Sequence, residues 1–229
     1  MSDRKKRVAT QAVTYVENGM TLGLGSGSTV NEFLVVLADR VKKGLNVKGV
    51  PSSRKTETIA KELGIPLMGF PKEGTLDLAI DGADEVDPRL NLLKGGGGSL
   101  VREKIVASCA KRLLVMVDES KLVGSLGAYP LPVEVLPFGW EQTAARISVL
   151  GGEPVLRHKD GEVFISDNSN YILDCSFGTI TDSEKLHRLL KQLVGVVETG
   201  LFVGMSDVVL VATKAGVEKY VHEEGRIDE

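Results

Sequence analysis

Along its first 127 residues the chain alternates short apolar runs with amphipathic stretches, and few folds admit that alternation. The runs are 20–26 (MTLGLGS), 46–51 (NVKGVP), 65–70 (IPLMGF), 76–81 (LDLAID) and 112–118 (RLLVMVD). Helical patterns lie among them. Asp3 to Asn18 puts Val8, Ala12, Val13 and Val16 on one face before the stop signal Gly19, and Ser28 opens a stretch in which Phe33, Leu34, Leu37 and Val41 recur until Gly44. Ser53 is placed as an N-cap for a third helix, and a fourth is expected from about Ser99 to Lys111. A strand, a helix and a strand in succession need a crossover and hence parallel pairing. The run 112–118 is apolar through most of its length, as a strand covered on both faces should be. The expected fold class is therefore α/β: an open, mostly parallel, Rossmann-like sheet with helices on both faces.

After Gly127 the texture changes. LPVEVLPFG reads as a strand, GWEQTAARISVLGG as a helix, and residues 153–177 as two strands around the turn Lys159-Asp160-Gly161. A helix, DSEKLHRLLKQLVG, and a strand near VVETGLF follow, giving the β-α-β-β-α-β order of a ferredoxin-like α+β module. Met205 to Thr213 is again strongly apolar and is expected to return to the first sheet. The predicted organisation is a large domain of residues 1–127 and 205–229 with an inserted small domain, 128–204.

Several function classes drop out early. The formal net charge is −3, which leaves no basic field for a nucleic acid. The one basic cluster, Arg4-Lys5-Lys6-Arg7, reads as a solvated helix face, with a small anion as the alternative. No apolar run approaches the roughly 20 residues that span a bilayer. The N-terminus lacks the unbroken apolar region of a signal peptide. Two cysteines, Cys109 and Cys175, in apolar surroundings fit a reduced, cytoplasmic setting.

Glycine is over-represented: 26 residues in 229, where average usage would give roughly 16. Eight of them fall in three short segments at strand ends, 23–29, 81–84 and 94–98. In an open α/β sheet ligands collect outside the carboxyl ends of the strands, so these segments can converge on one cleft. In Gly23-Leu24-Gly25-Ser26-Gly27-Ser28-Thr29, glycines allow a tight turn that brings backbone N–H groups to an anion. The following helix N-terminus and the hydroxyls of Ser26, Ser28 and Thr29 add to a phosphate cradle. It is neither a Walker loop nor a dinucleotide fingerprint, for Gly-Lys-Ser/Thr is missing and no acid closes the next strand. The plainer reading is a turn capped by Ser28.

Asp81-Gly82-Ala83-Asp84-Glu85-Val86-Asp87 offers carboxylates that can bind metal, work as acid and base, or accept sugar hydroxyls. It can equally be a turn of Asp side chains folded on their own backbone. Lys94-Gly95-Gly96-Gly97-Gly98 precedes a helix, and four glycines are costly to order unless their N–H groups face a ligand; a flexible linker is the alternative. Glu103 lies one position beyond the capping-box site if Ser99 is the N-cap, yet it still suits the helix dipole. Lys121 after Asp118-Glu119-Ser120 can reach the same cleft, or is a surface lysine. His158, His187 and His222 show no ligand spacing.

Taken together and in this order, GLGSGST, DGADEVD, KGGGGSLVREK and VDESKLV resemble the type A ribose-5-phosphate isomerases. The resemblance implies interconversion of D-ribose 5-phosphate and D-ribulose 5-phosphate in the non-oxidative pentose phosphate pathway, without cofactor or metal, by a homodimer or homotetramer with the small domain at the interface. It places substrate contacts at Ser26, Gly27, Ser28, Thr29, Asp81, Gly82, Ala83, Asp84, Lys94, Gly95, Gly96, Gly97 and Lys121, with Glu103 as proton acceptor. Ser26 stands where many relatives carry threonine, and both have a hydroxyl. The chemistry is compatible: an enediolate route needs a base, proton shuttles and oxyanion donors, which Glu103, the pair Asp81 and Asp84, and Lys94 can supply. A non-enzymatic sugar-phosphate-binding regulatory domain is the rival reading, and a CoA-transferase or deaminase of similar architecture a third.

Overall fold

The computed structural model describes residues 2–72 and 74–221. Helix α1 (Ser2–Val13), strand β1 (Thr21–Leu24), α2 (Ser28–Lys42), β2 (Lys48–Pro51), α3 (Arg54–Glu62) and β3 (Leu78–Gly82) come first. Two-residue strands β4 (Glu85–Val86) and β5 (Leu92–Leu93) precede α4 (Leu100–Ser108) and β6 (Leu113–Asp118). Then come β7 (Leu131–Val135), α5 (Trp140–Val149), β8 (Glu153–Leu156), β9 (His158–Lys159), β10 (Glu162–Val163), β11 (Tyr171–Ser176), α6 (Ser183–Lys191) and β12 (Val196–Thr199). The described residues end with β13 (Leu201–Phe202), β14 (Val208–Ala212) and β15 (Val217–Val221).

The described residues form two units, 2–72, 74–83, 102–121 and 205–221 in the first and 84–101 and 122–204 in the second. The first is built on a six-stranded sheet of order β15-β14-β6-β3-β1-β2, parallel except for β15 at one edge. Its strands bury Leu22, Leu24, Ile80, Leu114, Met116 and Leu210 against Phe33, Leu34 and Leu37 of α2 and Val8, Ala12 and Val13 of α1. β14 pairs with β6, so the expected return of the chain to the first sheet is found.

The second unit holds an antiparallel sheet of order β12-β7-β11-β8, which is the ferredoxin-like arrangement expected for this stretch. Asp160 and Gly161, both at positive φ, turn the β9–β10 hairpin. The hairpin is an addition: the module's middle strands are β8 and β11. Within β7, Glu134 is fully buried, and its Oε1 accepts from Ser166 Oγ, Asn168 Nδ2 and Asn170 Nδ2 at 2.9, 3.1 and 2.9 Å, fixing the 166–170 turn.

Local differences from expectation have local causes. Helix α1 ends at Val13 rather than Asn18, because residues 14–16 tighten into i to i−3 bonds and Arg40 Nη1 donates to Val13 O at 2.8 Å. Residues 65–70 form no strand; Leu67 makes a single bridge to Gly49, beside Pro66, which has no N–H to give a ladder. Ser53 caps α3 as expected, its Oγ accepting from Thr56 N at 3.0 Å. Residues 84–101 and 122–127, expected with the large domain, group with the second unit. There β5 pairs with both β4 and β13, and Val123 N donates to Val86 O.

One ion pair in the first unit predicts a pH dependence. Asp77 accepts from Lys111 Nζ at 2.8 Å and from Thr21 N and Oγ1 at 2.8 and 2.9 Å. The Lys111 bond first, and then the Thr21 N–H, hold its carboxyl down at about 2. A depressed folded value means stability that is present above the ordinary carboxylate range and lost as pH falls through it towards 2. Lys111 is largely exposed, so solvent screening leaves this contribution at about 1 kcal/mol. Asp77→Asn should flatten the melting temperature between pH 5 and 2 (about the titration window) relative to the parent protein; an unchanged acid limb would contradict the assignment.

Candidate active site

The loop after β1 is shaped by a carboxylate. Asp81, buried near the end of β3, accepts at Oδ1 from Ser26 N at 3.1 Å and Gly82 N at 2.7 Å. Its carboxyl group occupies the space beside residue 25: a Cβ there would lie 2.2 Å from Asp81 Cγ, so only glycine fits. Gly25 N in turn donates to Ile80 O at 2.9 Å. The Ser26 hydroxyl points into a cluster, 2.9 Å from Ser52 Oγ, 2.8 Å from Ser53 Oγ and 3.2 Å from Thr56 Oγ1. Thr56 Oγ1 closes the ring by donating to Gly25 O at 2.8 Å.

Helix α2 starts at Ser28, and its N-cap is Gly27 at φ 112° rather than Ser28. Gly27 and Ser28 are exposed and Thr29 half-buried, at a helix start of the kind whose N–H groups suit an anion. Lys5 Nζ donates to Ser28 Oγ at 2.7 Å. The basic cluster read as a solvated face is thus largely engaged: Arg4 pairs with Glu119 at 2.8 Å and Arg7 donates to Thr213 O at 3.0 Å. Lys5 is the residue that sequence reasoning passed over; the available signal was a basic run whose alternative reading was a small anion.

Glu103 is buried, 5% exposed, in the first turn of α4, where the helix N-terminus favours negative charge. Lys121 ends the short 3-10 turn Glu119–Lys121 and is half-buried. Asp118 caps that turn by accepting from Ser120 N at 2.9 Å and Ser120 Oγ at 2.5 Å.

The acidic segment splits by role. Asp87 is a turn carboxylate, accepting from Arg89 N, Asn91 N and Asn91 Nδ2. Glu85 is buried and accepts from Gly127 N and Tyr129 N at 2.7 and 2.5 Å. Asp81 in the first unit and Asp84 in the second, the candidates expected from the sequence, hold instead the N–H groups of the glycine-bearing segments, Ser26 and Gly82 for Asp81 and Gly96 for Asp84. Asp84 Oδ2 accepts Gly96 N at 2.8 Å. Burial first, and then the Asp84 charge, raise the phenol of Tyr129 above its ordinary range. Lys94 is 3% exposed, with Nζ 5.3 Å from the Phe202 ring centre and its N–H on Gly200 O at 2.8 Å. Gly95 is buried, Gly96 half-buried and Gly97 exposed.

The structure therefore assembles Gly25, Ser26, Asp81 and Gly82 in the first unit and Asp84 with Gly96 in the second. Ala83 and Asp84 straddle a boundary between the units along the chain, as do Val101 and Arg102, and Lys121 and Leu122. His158 Nδ1 lies 2.9 Å from Leu156 O and His187 Nδ1 2.8 Å from Thr199 Oγ1, while His222 lies outside the described residues. Among the described residues no group of three or more His, Cys, Asp or Glu could hold a metal ion, and no helix is long and apolar enough to cross a membrane.

Residues 48–216 match the family described as Ribose 5-phosphate isomerase A (phosphoriboisomerase A). A ribose-5-phosphate isomerase A of Shouchella clausii is 57% identical over 216 residues, covering 94% of this chain and 95% of that protein. Ribose-5-phosphate isomerase A 2 of Oceanobacillus iheyensis is 51% identical over 209 residues, covering 91% and 93%. The solved ribose 5-phosphate isomerase of Plasmodium falciparum superposes with a TM-score of 0.94 at 41% identity, over 98% of this chain and 100% of that one. A D-ribose-5-phosphate isomerase in complex with phospho-erythronic acid superposes with a TM-score of 0.93 at 37% identity, covering 96% and 98%.

The packing of Asp81 against Gly25 is directly testable. Gly25→Ala forces the carboxyl group or the loop to move, an overpacking that should destabilise the protein by about 1–3 kcal/mol in urea unfolding. An unfolding midpoint equal to that of the parent would contradict it.

Proposed function

This chain belongs to the ribose 5-phosphate isomerase A family, and on that premise we propose how its residues interconvert D-ribose 5-phosphate and D-ribulose 5-phosphate. The single observation carrying the reaction is the match to an isomerase of this family at 57% identity over 94% of the chain. It favours the isomerase over the regulatory-domain and transferase readings. The pathway implied is the non-oxidative pentose phosphate branch.

Isomerisation moves a proton between C2 and C1 while O1 and O2 exchange theirs. Glu103 takes the C2 proton, giving a cis-enediolate, and returns it to C1; its buried place in the first turn of α4 supports the role. General-base work of this kind contributes about 10²–10⁴ in rate. Lys94 and the N–H groups of Gly95 and Gly97 stabilise the negative oxygen, a role in which one lost donor costs about 2.7–4 kcal/mol, while Gly96 acts through the loop, its N–H held by Asp84. Asp81 and Asp84 open the sugar ring and shuttle hydroxyl protons, with Gly82 and Ala83 lining the same segment.

The phosphate is held by Gly27, Ser28 and Thr29 at the start of α2, with Lys5 beside Ser28 and Lys121 as a further cation. Ser26 acts on substrate through the loop it shapes, since its hydroxyl and N–H are both engaged within the protein. The reading requires no cofactor and extends to a cytoplasmic homodimer or homotetramer. Unbridged Cys109 and Cys175 support a reducing compartment. Phe138, Val149 and Val194 of the second unit, 95%, 86% and 78% exposed, support a subunit contact there.

The test is formation of ribulose 5-phosphate from ribose 5-phosphate in excess EDTA. The parent protein should be active, and Glu103→Gln should lose about 10²-fold or more in turnover while folding normally and still binding substrate. Near-parental turnover in the variant would remove Glu103 as the base, and an inactive parent would remove the reading.

A further inference from the structure

Four consecutive glycines have four N–H groups, and the structure shows where three of their peptides are anchored. The Gly95–Gly96 peptide is held at both ends: Gly95 O accepts Arg157 Nη1 at 2.9 Å, and Gly96 N donates to Asp84 Oδ2 at 2.8 Å. The N–H of Gly98 turns back onto Gly95 O at 3.0 Å. The peptide between them, Gly96–Gly97, is held only by its carbonyl, which accepts the same Arg157 Nη1 at 3.2 Å. In a trans peptide the N–H points away from the carbonyl, so Arg157 aims the Gly97 N–H in the opposite direction. Among the described residues that N–H has no protein acceptor, and the space beside Gly97 is open.

Arg157 is itself held firmly. Its side chain is 10% exposed and forms a fork on Asp174, Nε to Oδ2 at 2.9 Å and Nη2 to Oδ1. Its N–H donates to Ile172 O and its carbonyl accepts from Phe164 N, both at 2.9 Å. The Phe164 ring lies 5.8 Å from the guanidinium carbon and packs on Gly98, where a Cβ would come within 2.4 Å of the ring. Gly98 is also at φ +85°, which disfavours any side chain. A loop that composition alone would make mobile is clamped by one cation, one carboxylate and one ring.

We propose that Arg157, oriented by Asp174, is a positioning residue of the isomerase: it fixes the Gly96–Gly97 peptide so that the Gly97 N–H is preset as a donor to the enediolate oxygen. The inference rests on the functional reading above and deepens it by naming which glycine N–H does the work. Lysine cannot replace the fork, because a single ammonium cannot hold both carbonyls and both Asp174 oxygens in one plane.

The test compares Arg157→Lys, Arg157→Ala and Asp174→Asn with the parent in kcat, KM and the binding of two phosphates. Phospho-erythronic acid carries a carboxylate where negative charge develops; ribitol 5-phosphate carries the same phosphate without that charge. Loss of preset donation should lower kcat about 10–100-fold with KM within about threefold, and weaken the acid by a factor similar to kcat. Ribitol 5-phosphate should bind within about threefold of its affinity for the parent, since its phosphate contacts are untouched. A folded Arg157→Lys or Asp174→Asn with kcat within about threefold of the parent, or an equal weakening of both phosphates, would overturn the proposal. If Arg157→Ala does not fold, the other two variants decide by the same readouts. An inactive parent protein would instead overturn the functional reading.

Discussion

The buried carboxylate of Asp81 organises the strand ends of the first unit. One oxygen accepts the N–H of Ser26 from the β1 loop and of Gly82 from its own strand, and the group fills the space that Gly25 leaves by having no side chain. A charged acceptor of two N–H groups is stronger than a neutral one, so the loop is held where α2 begins. The hydroxyl cluster of Ser26, Ser52, Ser53 and Thr56 supports it from the β2–α3 segment. Sequence and packing meet at one carboxyl group.

The second unit solves a related problem with opposite chemistry. Glycine N–H groups are useful donors only when their peptides are fixed, and glycine is the residue least able to fix itself. Asp84 takes one N–H and Arg157 takes two carbonyls, while Glu85 and Glu134 pin neighbouring turns from buried positions. Preset dipoles need no reorganisation as charge develops, which is the physical basis of oxyanion stabilisation.

Strands β1, β3, β6 and β14 were legible because each is apolar on both faces, and the β-α alternation then limits the sheet to a parallel one. The two-residue strands β4, β5 and β13 carry no period, and Leu93 finds Leu201 only across more than a hundred residues. The same limit applied to the site. Asp81, Asp84, Lys94 and Glu103 stand out as charged residues at strand ends and a helix start. Glu85 and Asp87 look no different in sequence; they differ in which segment's N–H groups they hold, Gly127 and Tyr129 for Glu85 against Ser26 and Gly82 for Asp81 and Gly96 for Asp84. Lys5 reads as one of four solvated cations until α2 brings Ser28 to it, and Arg157 reads as one residue of a hairpin. What escaped the sequence was the pairing of distant groups.

The central claim is chemical: a carboxylate moves a proton between C2 and C1 through an enediolate. Its most direct measurement is isomerisation in deuterium oxide, followed by NMR at C1 of ribulose 5-phosphate and C2 of ribose 5-phosphate. Solvent deuterium should enter one position at C1, because a proton resting on a carboxylate exchanges with solvent before it returns. Many turnovers with no deuterium at either carbon would contradict it and would point to direct hydride transfer between the two carbons.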